Sequence, residues 1–272
     1  MNNFSIEAVR VKLRYLVKDQ DLAIYMASEA GGEVAPHQGN YEERTVVIEN
    51  GRHGAETFSL DRQGFQLIKH VSMTEDYYDG RQIDEIYNKE IQKLVMESTG
   101  AARVEVFDNT RRASSEATRK QKKVREQAAT IHNDYTDYSA PKRLREILPT
   151  EADSLLQRRY AIVNIWQSIA GTIENYPLAM CDVESMNVDD LVAVKRHAKD
   201  RIGEIQFATF NPDHRWVCFP KMKMDEVLMF KTFDSAQDGR ARFTIHSSFD
   251  DPTAPKEARI RESIETRCFV FF

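Results

Sequence analysis

The sequence has little of what marks membrane, disulfide-rich or nucleic-acid-binding proteins. No apolar run reaches about 18 residues, which rules out a membrane span, and residues 1–18 suit a charged strand better than a signal peptide. Only three cysteines occur, Cys181, Cys218 and Cys268, with no C-x-x-C pair, so we expect reduced thiols in a cytoplasmic protein rather than a disulfide or zinc site. The 38 basic residues do not exceed the 43 acidic ones, so net charge gives no indication of nucleic acid.

The composition is that of a globular chain. Its 272 residues allow one large domain or two small ones, and 41% apolar with 30% charged residues argues against wholesale disorder. There is no internal repeat and no low-complexity linker.

Side-chain periodicity predicts a mainly β protein with flanking helices. Alternation predicts a strand over residues 8–16, and helical spacing predicts a helix over residues 83–98 that ends at Gly100. Short helices are expected near Thr150 and over residues 188–199. Further strands are predicted at residues 43–48, 58–68, 102–107, 129–135, 159–169, 178–182, 205–210, 216–219, 226–233, 241–249 and 263–272.

So many short strands suggest a jelly roll or a related double sheet. We divide the chain into an N-terminal α+β flank (1–110), a basic loop or lid (111–128) and a β core (129–272). Residues 111–126 carry seven basic and two acidic side chains. They are either a solvated helix or mobile loop, or a basic lid that attracts an anionic substrate or cosubstrate. A nucleic-acid site is disfavoured because no aromatic residues are interleaved.

The motif His132-Asn133-Asp134 is a candidate half of a metal site. Residues i and i+2 of a strand share a face, so His132 and Asp134 could bind one metal. Two histidines and one carboxylate are the ligand set of non-haem Fe(II) oxygenases. The second histidine is either His246, in a late strand, or His214, in a turn; we favour His246 because a turn histidine more easily faces solvent.

Arg261 and Ser263 also share one face of a strand. A guanidinium beside a hydroxyl suits a terminal carboxylate, since the planar fork binds it through two hydrogen bonds. The order H-x-D, distal His, R-x-S is that of Fe(II)/2-oxoglutarate oxygenases. The alternative is that these residues are only surface ion pairs and core histidines.

Several longer segments carry a family resemblance. The chain resembles the hydroxylase/desaturase family of secondary metabolism, which includes gibberellin desaturase-like, cephamycin methoxylation-like and aspergillic-acid-cluster-type proteins. The matching segments are residues 58–65 (FSLDRQGF), 99–101 (TGA), 132–136 (HNDYT), 159–166 (RYAIVNIW), 177–182 (PLAMCD), 219–222 (FPKM), 225–231 (DEVLMFK), 246–252 (HSSFDDP) and 261–265 (RESIE).

The resemblance implies a double-stranded β-helix (jelly roll, cupin-like) core that uses Fe(II), 2-oxoglutarate and dioxygen. It places the iron ligands, also the catalytic residues, at His132, Asp134 and His246, and the cosubstrate carboxylate at Arg261. Many relatives read Asn-x-Trp-Arg-Pro, whereas here Asn164-Ile165-Trp166 is followed by Gln167-Ser168. This departure could change the charge of the accepted substrate or the way the cosubstrate is held.

The function predicted from these features is oxidation of a small-molecule natural-product intermediate. Removal of a substrate hydrogen would lead to hydroxylation, desaturation or ring formation. The expected partner is the small-molecule substrate, with no nucleic acid and no membrane, and the oligomeric state is open. Tyr135, Asn164, Trp166 and Gln167 are the candidate pocket residues. The rivals are an iron enzyme that does not use 2-oxoglutarate and a non-catalytic small-molecule-binding protein; a zinc hydrolase is disfavoured because H-E-x-x-H is absent.

Overall fold

Two β-sheets, packed face to face, organise this chain. The computed structural model describes residues 7–18, 24–27, 29–31, 39–198 and 201–272; residue 199, the end of the predicted helix over residues 188–199, lies outside them. The strands are β1 (Ala8–Leu16), β2 (Ile24–Met26), β3 (Tyr41–Asn50), β4 (Phe65–Lys69), β5 (Arg103–Ala113), β6 (His132–Asn133), β7 (Tyr160–Ser168), β8 (Leu178–Cys181), β9 (Leu191–Ala198), β10 (Arg201–Ala208), β11 (Trp216–Cys218), β12 (Glu226–Asp234), β13 (His246–Ser248) and β14 (Glu262–Phe271).

Strand order defines a nine-stranded and a five-stranded sheet. The first runs β1-β3-β11-β8-β13-β6-β10-β9-β2 and the second runs β4-β12-β7-β14-β5. Pairing is antiparallel except between β3 and β11 and between β2 and β9. Trp166 from β7 and Met180 from β8 share one buried cluster, so the inner faces of the sheets meet there.

Strand β7 shows why the five-stranded sheet is buried on both sides. All nine of its residues are buried. Val163 and Ile165 pack with helical residues on the outer face, while Trp166 packs inward. Successive side chains alternate between faces, so a strand covered on both sides is mostly apolar, and its few polar residues make specific hydrogen bonds.

Helices cover the outer face of the five-stranded sheet. Ile83, Tyr87 and Ile91 pack on its outer face, as the helical spacing predicts. This helix ends at Gly100, whose φ of 69° is readily available only to glycine. The helices are α1 (Gly80–Gln82), a π-helical turn (Ile83–Tyr87), α2 (Asn88–Thr99), α3 (Glu116–Lys122), α4 (Ser139–Ile147) and α5 (Ala152–Leu155), with 3-10 turns at Ala55–Thr57, Val183–Ser185 and Val188–Asp190.

Several sequence predictions are wrong in type or length. In place of the helix predicted over residues 188–199, residues 188–198 form a 3-10 turn followed by β9, which pairs with β10 along its whole length. The strands expected at residues 129–135 and 241–249 shorten to β6 and β13, because the flanking residues lie in irregular backbone. Helix α4 was not predicted, and α5 begins two residues after Thr150.

The N-terminal residues join both sheets. Strand β1 pairs with β3 in the nine-stranded sheet, and β4 pairs with β12 in the other. Strand β5 runs across residue 110 and pairs with β14. The sheets therefore connect residues on both sides of the predicted divisions, and the division into flank, lid and core stays a prediction.

The three cysteines are free and buried, which agrees with the expectation of reduced thiols. Among the described residues, no helix has the length and apolar character needed to cross a membrane.

A buried ion pair ties the two sheets together. Arg52, just after β3, donates to both carboxylate oxygens of Glu226 at the start of β12, at 2.7 and 2.8 Å. Burial raises the pKa of Glu226, but the hydrogen bonds from Arg52 and from the backbone N–H of Lys223 outweigh it and lower the pKa to about 2.

We predict that this pair stabilises the fold in a pH-dependent way. The folded-state pKa lies below the unfolded-state value, so the contribution is complete above about pH 5 and is lost as the pH falls toward 2. Glu226→Gln should lower the free energy of unfolding by roughly 2–3 kcal/mol at pH 7 and by much less near pH 3. Urea unfolding measures this, with exposed Glu85→Gln as control. A difference that does not depend on pH would contradict the prediction.

Candidate active site

Two histidines face each other across neighbouring strands of the nine-stranded sheet. His132 in β6 is the direct pairing partner of His246 in β13, and their ring centroids lie 4.5 Å apart. Asn133, between His132 and Asp134, points elsewhere and donates to Gln206 Oε1 at 2.9 Å. The two-residue period therefore places His132 and Asp134 together, as the sequence predicts.

One nitrogen of each imidazole and one oxygen of Asp134 converge on a common point. These three atoms lie within 4.8 Å of one another, which suits a shared metal ion. The Nδ1 atoms of His132 and His246 lie 2.8 and 3.3 Å from the backbone oxygens of Thr130 and Thr244. A carbonyl oxygen can only accept, so each Nδ1 carries the proton and each Nε2 offers a lone pair to the centre.

The imidazoles are held in the neutral form that a metal requires. Burial, followed by the neighbouring His132, lowers the pKa of His246 to about 3. Burial also lowers the pKa of His132. The Nε2 atom of His246 is buried without a hydrogen-bond partner, a cost that a bound cation would remove. The residues present therefore fit a metal ion.

Asp134 is held as an anion in a fixed orientation. Its Oδ2 accepts from Arg267 Nε and from Asn164 Nδ2, both at 2.9 Å, so Oδ1 is the oxygen nearer His132, 3.6 Å from its Nε2. Burial raises the pKa of Asp134, but the charge of Arg267, followed by the two imidazoles, holds it well below its usual range.

Arg267 links this carboxylate to two others, a contact that the sequence reasoning missed. Its guanidinium also binds Glu265, and it donates to Asp108 of β5 at 2.5 Å. Asn164 donates to Glu265 as well, at 2.9 Å. A partial signal was present, because four polar residues at a spacing of two, 261, 263, 265 and 267, share one face.

Arg261 is a buried cation without an anion. Among the described residues, no carboxylate oxygen lies within 4.0 Å of its guanidinium. It donates to neutral acceptors, namely Tyr176 O (2.6 Å), Ser248 Oγ (2.9 Å) and Ser263 Oγ (3.1 and 3.3 Å). Its Cζ lies 5.0 Å from the ring of Trp166. Burial, followed by the charge of Arg112, lowers the pKa of Arg261 to about 9, so it remains a cation near neutral pH. A buried, unpaired guanidinium fits a carboxylate ligand.

His214, the competing second histidine, lies in another network. Its Nδ1 is 3.3 Å from the hydroxyl of Tyr15, and its Nε2 is 3.2 Å from Asp190 Oδ2. Trp216 also donates to Tyr15, at 2.9 Å. These contacts occupy both nitrogens of the ring, so the structure groups His246, and not His214, with His132 and Asp134.

A cavity of about 520 Å³ opens beside His132 and Asp134. Of the four predicted pocket residues, only Tyr135 lines it. Asn164 instead fixes Asp134, and Trp166 lies beneath Arg261. Gln167 directly follows the inward-facing Trp166, so its side chain points to the opposite face of β7. There it donates a hydrogen bond to the hydroxyl of Tyr77 at 2.9 Å. Gln167 therefore does not line this cavity.

Comparison with known proteins agrees with this geometry. A family model described as "Oxidoreductase/YMDC permease-like domain" matches residues 13–271. The hydroxylase/desaturase CTB9 of Cercospora beticola is 35% identical over 89% of this chain and 81% of its own length. The chain belongs to the hydroxylase/desaturase family of Fe(II)/2-oxoglutarate-dependent oxygenases. The predicted family, the oxidoreductase class and the dependence on Fe(II) and 2-oxoglutarate are thereby confirmed.

Further relatives carry names of the same chemistry. The Fe(II)/2-oxoglutarate-dependent dioxygenase nvfI of Aspergillus novofumigatus is 29% identical over 85% of this chain and 84% of its own. A solved structure of the iron and alpha-ketoglutarate-dependent endoperoxidase NvfI covers 98% of both chains with a TM-score of 0.87 at 23% identity. This likeness confirms the predicted fold, a double-stranded β-helix core.

We predict that iron binding separates the two candidate histidines. Loss of a residue that only orients a metal ligand weakens metal binding by about 10–100-fold. His246→Ala and His132→Ala each remove a ligand, so each should weaken Fe(II) binding by more than that. His214→Ala should keep wild-type iron affinity, although it loses the contacts to Tyr15 and Asp190. Anaerobic competition with a chromophoric chelator measures the affinity, and circular dichroism checks folding. An equal loss in all three variants would contradict the assignment.

Proposed function

We propose that this chain oxidises a small-molecule natural-product intermediate, with Fe(II) held by His132, Asp134 and His246. The supporting observation is the convergence of two neutral imidazoles and one anionic carboxylate on one point. Three protein ligands leave positions for 2-oxoglutarate and dioxygen. When bound, the iron and cosubstrate supply the oxidant that removes hydrogen from a substrate C–H bond.

The protein's part is to fix these ligands. The carbonyls of Thr130 and Thr244 set the tautomer of each histidine. Asn164 and Arg267 occupy Oδ2 of Asp134, which leaves Oδ1 for the metal. Because each ligand is oriented by a hydrogen bond, little reorganisation is needed when iron enters.

Arg261 and Ser263 form the proposed seat for the carboxylate of 2-oxoglutarate that does not bind iron. The guanidinium is held by Ser248, Ser263 and the carbonyl of Tyr176, all uncharged. Its positive charge is therefore left for a ligand. This favours a 2-oxoglutarate enzyme over the rival iron enzyme without that cosubstrate, in which an unpaired buried arginine would have no purpose.

The substrate would enter the cavity beside Tyr135, where one wall is formed by the basic segment 111–128. Arg119 of α3 and Arg125 line this cavity. Lys122 of α3 is joined to Glu262 at 2.8 Å. We include in the proposal that this segment acts as a lid. Hydroxylation, desaturation and ring formation all begin with hydrogen removal, so the site is compatible with each. A cytoplasmic location, for which the free cysteines argue, stays a prediction.

We predict that Arg261→Ala impairs cosubstrate binding but not iron binding. The dissociation constant for 2-oxoglutarate should rise at least about 30-fold, since truncating one partner of a buried charged pair costs about 2–5 kcal/mol. The visible charge-transfer band of the anaerobic Fe(II)–2-oxoglutarate complex measures this. Exposed Arg259→Ala is the matched control and should behave as wild type. A full band with unchanged affinity in Arg261→Ala would contradict the proposed anchor.

A further inference from the structure

We propose that the cavity beside the iron site binds substrates that carry an acidic group, which docks on Arg125 and Arg196. This inference rests on the proposed function for the identity of the site, and it names the class of substrate. The acidic group is a carboxylate or a phosphate attached to an apolar body.

The lining of the cavity is strongly cationic. Seven arginines line it, against three carboxylates, Asp108, Glu126 and Asp134. This excess is local, because the whole chain has a net charge of −5. The arginines come from separated parts of the sequence, namely Arg112, Arg119, Arg125, Arg143, Arg196, Arg201 and Arg267.

Several of these cations are already engaged by carboxylates. Arg267 binds Asp134 and Asp108. Arg143 and Arg201 share Glu146, at 3.0 and 3.8 Å. The Nε of Arg112 is 3.7 Å from Glu265.

Arg125 and Arg196 are different. Among the described residues, no carboxylate oxygen lies within 4.0 Å of either guanidinium, and neither side chain donates a hydrogen bond within that part of the chain. Both side chains are only partly exposed. Burial, followed by the charges of Arg125 and Arg267, lowers the pKa of Arg196 to about 10. Burial, followed by Arg112 and Arg267, likewise lowers the pKa of Arg125. Cations that repel one another in a partly dry cavity would be stabilised by a bound anion.

This anion site is separate from the proposed cosubstrate anchor. The cavity is lined by His132 and Asp134 but not by Arg261 or Ser263. Fe(II) and the dianion of 2-oxoglutarate together carry no net charge. Their binding therefore leaves the positive charge around Arg125 and Arg196 available to a substrate.

The rest of the lining suits an apolar body. Part of the cavity wall is apolar and is formed by Phe107, Tyr135, Ile205 and Phe207. A volume of about 520 Å³ is within the usual range for small-molecule sites, about 300–1,000 Å³. An acidic group on the two arginines would thus orient an apolar skeleton beside the iron ligands.

The test compares 2-naphthoate and 2-naphthyl phosphate with neutral 2-naphthamide, by calorimetry on the full chain loaded with Mn(II) and saturating 2-oxoglutarate. Saturation keeps these probes from the Arg261 anchor. Wild-type protein should bind one of the acids at least about 10-fold more tightly than the amide, and the tighter acid identifies the acidic group. The double variant Arg125→Gln/Arg196→Gln should lose this preference, while Arg125→Lys/Arg196→Lys should keep part of it.

The charge-matched control is Arg10→Gln/Arg81→Gln, at two exposed positions, which should keep the wild-type preference. Equal binding of acid and amide by wild-type protein, or an unchanged preference in the Arg125→Gln/Arg196→Gln variant, would overturn the inference. The charge-transfer band with Fe(II) and 2-oxoglutarate reports separately on the proposed function: a band that persists in this variant while the acid preference is lost supports both. Absence of the band in wild-type protein would count against the proposed function alone. The loss of acid preference in the Arg125→Gln/Arg196→Gln variant can also be measured on the metal-free chain, where binding at Arg261 is common to both proteins.

Discussion

The contact between Arg267 and Asp134 is the interaction on which the site depends. Asp134 follows a strand of only two residues, so β6 alone cannot fix its side chain. Arg267 lies near the middle of β14, in the other sheet, and joins Asp134 to Glu265 and to Asp108 of β5. Breaking such a buried pair costs about 3–5 kcal/mol, because a charge is left uncompensated. One guanidinium therefore holds a metal-ligating carboxylate in place and connects the two sheets.

The same charges explain how one small region can receive three different ligands. Burial keeps the two imidazoles neutral and available to iron, and Asp134 beside them is paired with Arg267. Arg261, at the start of the same strand, has only uncharged partners and suits a carboxylate. Arg125 and Arg196, across the cavity, remain for the substrate. Each positive charge thus has a separate role.

Local patterns predicted much of this architecture. The predicted strands include β1, β7, β8, β12 and β14, and helical spacing found the helix that ends at Gly100. The helix prediction failed at residues 188–198, where β9 pairs with β10 along its whole length. The proximity of His132 and Asp134, two of the proposed iron ligands, could be predicted because H-x-D is local. The contacts of Arg267 could not be predicted, because its alternation with Ser263 and Glu265 indicates which face it shares but not its partners, which are known only once β14 is paired with β5 and β7. The cavity arginines lie between residues 112 and 267, so only the fold brings them together.

The most direct test of this account is a crystal structure of the chain with Mn(II) and 2-oxoglutarate, grown without oxygen. We expect the metal on His132 Nε2, Asp134 Oδ1 and His246 Nε2, with the distal carboxylate of 2-oxoglutarate on Arg261. A metal bound through other residues, or a cosubstrate carboxylate that does not contact Arg261, would contradict the account.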